Sequence, residues 1–500
     1  MTGLPFDTNK KSAMEGENSR SASTVSQASQ TKSPWKSLWI SIALQTMVGI
    51  QISIYFMSMW PFLNSLDPTT TVDFLGWVAA ACSLGCSIAN PLFGWWNQKT
   101  MSIKYPVIVG MLMTAAGQCV YGLLPLFSHN QKWIMIGARL VTGFGAGTLS
   151  VLRAYAATAS LPEDRLRAVS FGMAGMVLGL SAGPTIQAVF TPIGEHGFMI
   201  GPVIFNMYTL PAFFMVFLSL LCCVIVKIMF EETYAGIRKD DDNNSESQFT
   251  VVPKYDLIPA LICIYLWVVT CMVSINIEVI STPWSTAMYN WKDSDAVLYN
   301  GIFQTASCLV SVSINFAIGY TRVGHIEKRK QIIFGLIMFL LFHILNYPWT
   351  FYSGPLDYIP MDKNSSEVGG CLHSYDWCSD TVRVPFPIYF ICFVIFFGIS
   401  FPFTGSPSGT LYSEILGPRK QGMMQGLHSF GGSIAQLITP ILTTFLFQHS
   451  GYKYVMVVQI CTLSIALLLV VVFYKRLVPL KMKPAQGKSA KYKHGVFYTM

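Results

Sequence analysis

An all-α polytopic membrane protein, with twelve transmembrane helices in two six-helix bundles and both termini in the cytosol, is what this sequence predicts. Three observations carry that expectation. Of 500 residues, 52% are hydrophobic and only 12% charged, about half the charged share of a soluble domain, so the apolar excess must face lipid. Apolar stretches of roughly the twenty residues that a helix needs to cross the hydrocarbon core recur along the chain. Lysine and arginine segregate to one side of those stretches. The same composition excludes an ordinary cytosolic enzyme, a disordered scaffold and, despite a formal charge of +8, a nucleic-acid binder.

The expected spans are residues 37–62, 73–95, 104–127, 133–157, 167–190, 203–229, 256–280, 296–320, 330–347, 386–411, 421–447 and 452–474. Residues 1–36 are rich in Ser, Thr, Gln and Asn; they read as a disordered cytosolic tail without a signal peptide. With both termini cytosolic, alternation of twelve spans puts 26 of the 33 Lys and Arg on the cytosolic side. Five lie opposite (Lys132, Lys292, Lys363, Arg383 and Lys453), and Arg139 and Arg153 fall inside a span. An odd number of spans would scramble this segregation. Residues 37–230 then form one bundle and 256–477 the other. The linker 231–255, centred on Arg238-Lys239-Asp240-Asp241-Asp242, is cytosolic, and the tail 478–500 is basic and suits an anionic leaflet.

The loop 348–385 falls on the luminal side. It holds Asn364-Ser365-Ser366, an N-glycosylation acceptor, and Cys371 and Cys378, a pair suited to a disulfide in an oxidising compartment, with free thiols as the alternative. Asn243 also starts an acceptor triplet, but its cytosolic position predicts no modification.

Helix 4 carries Arg139 followed by Gly143, Gly145 and Gly147, and helix 5 carries Gly179-Leu180-Ser181-Ala182-Gly183-Pro184. Glycines at this spacing let helices approach and slide, and a proline frees a carbonyl and allows a bend. A layout of six helices, a linker and six helices, with these motifs on consecutive helices, resembles the major facilitator superfamily. That resemblance implies two bundles rocking around a midplane cavity. The loop after helix 2 departs from the superfamily pattern: it reads Gly94-Trp95-Trp96-Asn97-Gln98-Lys99, with Gln98 where an acid would complete a gate salt bridge.

A charge within the bilayer is a functional hypothesis by default. Arg139 lies near the luminal third of helix 4, and Arg153 follows 14 residues later, close to a whole number of turns. That phase could set both on one water-filled face, but Arg153 is expected rather to snorkel to the cytosolic surface. Glu278 is the acid well inside helix 7. Arg139 attracting an anion and Glu278 gating it or carrying a proton is one reading; a structural ion pair, or a Glu278 that simply reaches luminal water, is the other. Gln51 and Tyr55, four apart on helix 1, offer hydrogen bonds either to a substrate or between helices. Cys82 and Cys86 lack the companions a metal site needs. His428 reads as a packed polar residue, and no phosphate-binding Gly-x-x-x-x-Gly-Lys-Ser/Thr loop or other cofactor motif is present.

Longer strings resemble one branch of that superfamily: Met57-Ser58-Met59-Trp60-Pro61-Phe62-Leu63, Asp73-Phe74-Leu75-Gly76-Trp77, Asn206-Met207-Tyr208-Thr209, Ala296-Val297-Leu298-Tyr299-Asn300-Gly301, Leu411-Tyr412-Ser413-Glu414-Ile415-Leu416-Gly417-Pro418 and Tyr474-Lys475-Arg476-Leu477. The branch is that of the lysosomal membrane protein of neuronal ceroid lipofuscinosis type seven. The resemblance implies lysosomal or late-endosomal residence, chloride conductance, and matching positions for Arg139, Glu278 and the luminal loop. Gln436 stands where relatives carry Arg, and the acidic dileucine sorting signal is missing from residues 1–36; Tyr234-Ala235-Gly236-Ile237 has the spacing of a tyrosine-based one. A lysosomal transport protein passing small anions such as chloride is thus the leading expectation. A proton-coupled carrier of a small organic solute and a non-transporting scaffold are the alternatives; a monomer is compatible with all three.

Overall fold

The computed structural model describes residues 32–55, 58–67, 72–194, 196–235, 254–352, 354–360, 368–371, 373, 375–481, 490–493 and 496–499. The acceptor Asn364, Asn243, the N-terminal tail to residue 31 and the linker centre lie outside them. The N-terminal half comprises α1 (Trp35–Ser53), α2 (Met59–Leu66), α3 (Val72–Thr100), α4 (Lys104–Gly122), α5 (Gln131–Ala146), α6 (Leu149–Ala159), α7 (Arg165–Phe190) and α8 (Thr209–Met229). The C-terminal half comprises α9 (Leu257–Tyr289), α10 (Asp293–Tyr320), α11 (Lys328–Leu345), α12 (Phe386–Ile391), α13 (Phe397–Leu416) and α14 (Gly422–Val472).

Each of the twelve apolar windows holds helix, and the break expected between residues 447 and 452 falls at Gly451. α14 is two helices meeting at Gly451, whose φ of 64° breaks the helical path where only glycine is unstrained. A π-helical turn, Cys392–Phe396, joins α12 to α13. The sixth window begins in a hairpin, β1 (Phe198–Ile200) against β2 (Val203–Phe205), and helix starts only at Thr209. Asn206 sets that start, its Oδ1 accepting from the Tyr208 and Thr209 amides. Among the described residues, eight helices are long and apolar enough to cross a membrane, α14 counted once. A second hairpin, β3 (Ala490–Lys493) with β4 (Val496–Thr499), follows the last helix.

The loops divide into two ends. At one, which we call the terminal end, lie residue 32, both ends of the linker and residue 481. Glu232 caps α4 there, its carboxylate accepting from the Ile103 and Lys104 amides at 2.7 and 2.6 Å, as a negative group at a helix N-terminus should. Asp256 begins α9 and holds Arg476 at 2.7 Å. Tyr234 is docked into this end, its hydroxyl donating to the Met101 carbonyl at 2.5 Å, so the tyrosine of the sorting-type string is part of the packing.

At the far end, the described residues of 346–385 form a cap on the C-terminal half. Cys371 and Cys378 are joined as a disulfide, with Cα atoms 6.4 Å apart. The Trp377 ring lies against Gly451, Tyr452 donates to the Val382 carbonyl at 2.6 Å, and Asp357 accepts from Arg383 at 2.8 Å and Asn290 at 2.6 Å.

Glycines set the spacing of the N-terminal bundle. A Cβ on Gly143 would collide with the Cys82 carbonyl of α3, and one on Gly147 with Ala89. Gly179 and Gly183 lie equally close to Thr46 and Ser53 of α1, where the Ser53 hydroxyl bridges to the Gly179 carbonyl at 3.3 Å. Pro184 lies within α7, which runs unbroken from Arg165 to Phe190.

The same device closes the two halves against each other near the terminal end. A Cβ on Gly94 of α3 would lie 2.5 Å from the Gly422 carbonyl of α14, and one on Gly426 2.7 Å from the Asn90 carbonyl. Gln98, in the acid's place, accepts from the Met423 amide at 2.8 Å, and Asn90 donates to Ser433 at 2.9 Å. Gln98 thus satisfies an orphan donor in the first turn of α14. Phe171 of α7 packs between Phe316 and Tyr320 of α10, with Arg167 4.2 Å from the Tyr320 ring centroid.

Two expectations follow. The bonds from Asn290 and Arg383 hold the Asp357 carboxyl below its ordinary value of 3.8. A depressed value stabilises the fold above the unfolded one and is lost only as pH falls through the lower one. Asp357→Asn should therefore lower the melting temperature equally at pH 7 and pH 5, and a loss of that difference by pH 5 would contradict the clamp. Gln98→Ala removes a helix cap of about 1 kcal/mol. In a chain stripped of free cysteines, it should speed thiol labelling of Gln425→Cys from the terminal end about fivefold; an unchanged rate would rule out Gln98 as a gate contact.

Candidate functional site

The path between the halves begins behind this closed gate. Arg153 of α6 reaches across the interface, its guanidinium carbon 4.4 Å from the centroid of Trp267 on α9. Trp267 stacks on His428 of α14 at 5.4 Å and 19°, and His428 packs on Tyr412 of α13 at 5.0 Å. Four helices from both halves meet in this one stack. Beside it lies a cavity of about 30 Å³, lined by Arg153, Trp267, His428, Gln45 and Gln425 together with small and apolar residues. Among the described residues no carboxylate pairs with Arg153. Attraction to the Trp267 face supplies part of what burial of the cation costs.

Further along α9, Glu278 shares the stripe of Trp267. Eleven residues separate them, within about 20° of three full turns, so Glu278 stands roughly 16 Å closer to the far end. Cys271 lies between, within Coulombic reach of both Arg153 and Glu278. Trp267 is 7% exposed, whereas Glu278 is exposed and has no ion pair among the described residues. The halves are in backbone contact at the terminal end, and Glu278 is the exposed group of the stripe toward the far end.

Several expectations need correction. Arg139 does not share a face with Arg153. The helix is interrupted at Gly147–Thr148, between α5 and α6, which shifts the 14-residue phase. Arg139 instead faces inward, 3% exposed, with its guanidinium carbon 5.4 Å from the Tyr55 ring and its Nε and Nη1 without partners. Nor does Arg153 snorkel; Trp267 and the cavity hold it at the interface. Arg139 and Glu278 form no ion pair. Gln51 donates to Ser219 at 3.3 Å and Tyr55 to Gln118 at 2.5 Å, so both serve contacts within the N-terminal bundle. Gln436 is half-buried on α14. Sequence reasoning missed Trp267, Gln45 and Gln425 and set His428 aside. The signal available was the apolar–aromatic face of α9, whose partner across the interface no spacing rule supplies.

The comparisons agree with this architecture. The sequence profile of the Major Facilitator Superfamily matches residues 40–360 and 368–496. Major facilitator superfamily domain-containing protein 8 of Xenopus laevis is 29% identical over 481 residues, covering 90% of this chain and 93% of that protein. Among solved structures, the proton:xylose symporter XylE bound to 6-bromo-6-deoxy-D-glucose superposes with a TM-score of 0.64 at 13% identity, over 90% of this chain and 97% of that one. The human organic anion transporter MFSD10 (TETRAN) superposes with a TM-score of 0.60 at 10% identity, over 87% and 99%. Two helical halves around a gated interface, and a profile match along nearly the whole described chain, make this protein a multi-pass membrane transport protein of the major facilitator superfamily.

Proposed function

We propose that this chain moves a small anion, chloride being the leading candidate, across lysosomal or late-endosomal membranes by alternating access of its two bundles. In this reading twelve spans cross the bilayer, the terminal end faces the cytosol, and the cap, with Asn364 glycosylated and its disulfide intact, faces the lumen. The structure then corresponds to a lumen-accessible state with the cytosolic gate closed. Arg153 carries the proposal: a guanidinium between the two bundles, beside a cavity, with no carboxylate partner among the described residues. An uncompensated cation on the path favours an anion there and repels cations. A non-transporting scaffold has no use for it. The organic anion transporter among the structural neighbours supports the charge preference; the lysosomal location rests on the branch resemblance.

Glu278 favours a second reading, a proton-coupled carrier of a small organic solute. It stands exposed on the interface stripe with no ion pair among the described residues, where a carboxylate can exchange a proton with the far-end opening.

Reconstituted into proteoliposomes, the chain should take up chloride, and Arg153→Gln should cut that flux at least about tenfold, the order expected for losing a charge-assisted contact. Chloride flux unaffected by Arg153→Gln would overturn the assignment. Absence of chloride flux, with solute uptake driven by a proton gradient and lost in Glu278→Gln, would establish the second reading in its place.

A further inference from the structure

The cavity behind the closed gate gathers more unpaired polar atoms than packing requires. Gln45 is 2% and His428 4% exposed, yet Gln45 Nε2 and both ring nitrogens of His428 have no hydrogen-bond partner. Buried polar atoms are costly to leave unpaired, and these, of which the Gln45 NH₂ and one His428 ring N–H are donors, lie around one space. Arg153 adds a full positive charge to it. No carboxylate lines the cavity. An imidazole N–H, a carboxamide NH₂ and a guanidinium are all donors, and donors without a matching acceptor describe a site whose missing component accepts hydrogen bonds and carries negative charge.

Size narrows the ligand. The volume is about 30 Å³, room for roughly one or two water-sized particles. Small residues leave this space: a Cβ on Gly172 would lie 2.8 Å from the Gln45 carboxamide, and one on Gly405 would lie 2.7 Å from the Met173 methyl. An organic carboxylate does not fit in this state.

We infer that this cavity is a binding station for a single inorganic anion of halide size, held by Arg153, His428 and Gln45 next to the terminal-end gate. The inference deepens the proposed anion transport and rests on it. His428 and Gln45 are then ligand-contacting residues contributed by α14 and α1, one from each half, so an occupied station ties the halves together in the closed-gate state. Opening the gate separates these donors and releases the ion toward the terminal end.

The test uses the full chain in lipid nanodiscs, with thermal melting followed as sodium bromide replaces sodium gluconate at constant ionic strength. Bromide and chloride should raise the melting temperature saturably, and acetate and gluconate should not. Equal stabilisation by all four anions would overturn the station without recourse to any variant. His428→Phe and Gln45→Leu should each raise the half-saturating bromide concentration at least about tenfold; wild-type-like saturation in both variants would overturn it as well. Bromide flux in proteoliposomes separates the two claims. Flux without saturable bromide stabilisation, as when the cavity holds only water, overturns the station and leaves anion transport standing. Saturable binding without flux overturns transport and leaves the station.

Discussion

In lipid, helices gain nothing by hiding apolar surface from one another, so how closely two backbones can approach decides whether they associate. This chain answers with glycine. Gly143 against the Cys82 carbonyl and Gly179 against Thr46 bring α3, α5, α7 and α1 into backbone contact and fix the N-terminal bundle. Gly94 against Gly422 uses the same contact between the bundles, where it must also come apart. A gate made of small residues, one carboxamide cap and one Asn–Ser bond carries no buried ion pair whose breaking would strand a charge. The replacement of an acid by Gln98 is therefore a change in the kind of gate, from charge pairing to backbone contact and capping.

Arg153 depends on that closure. With the bundles together, its guanidinium lies over Trp267 and the ring series continues through His428 to Tyr412. With the bundles apart at the terminal end, the Trp267 face would leave and the cation would be rehydrated. An anion bound at Arg153, as proposed, would thus be coupled to the position of the halves by contact geometry alone, as any ligand with different contacts in two states must be. Glu278, three turns further along the same stripe, is accessible from the other side and stands outside this coupling.

The helical, multi-pass class was legible in the sequence because it rests on local chemistry. The apolar windows, the Gly143/Gly147 and Gly179/Gly183 pairs and the linker at 231–255 depend only on spacing along one chain. One boundary failed where a single residue overrode hydropathy: Asn206 delays the sixth helix to Thr209, whereas the division at Gly451 falls between the expected spans 421–447 and 452–474. The site was half legible. Charges within apolar helices at 139, 153 and 278 announced themselves, but which neighbour each would meet depended on the helix break after Ala146 and on contacts between halves more than a hundred residues apart. Hence Arg139, expected on the path, faces Tyr55 within its own bundle, while Arg153, expected to snorkel, meets Trp267. His428 looked ordinary because its unbonded nitrogens matter only once Gln45 and Arg153 are seen beside it.

The central claim, a two-bundle interface closed at the terminal end and open at the far end, is tested most directly by electron–electron distance measurements in nanodiscs. One pair of spin labels would replace Lys99 and Lys420 at the terminal end, and another Val189 and Val297 at the far end, all four being exposed positions. The structure predicts a short, narrow distribution for the first pair and a longer one for the second, with the first lengthening and the second shortening when the gate contact is removed by Gln98→Ala and an anion gradient is imposed. Distributions for both pairs that stay fixed under every condition would contradict alternating access and leave the gate a static seam.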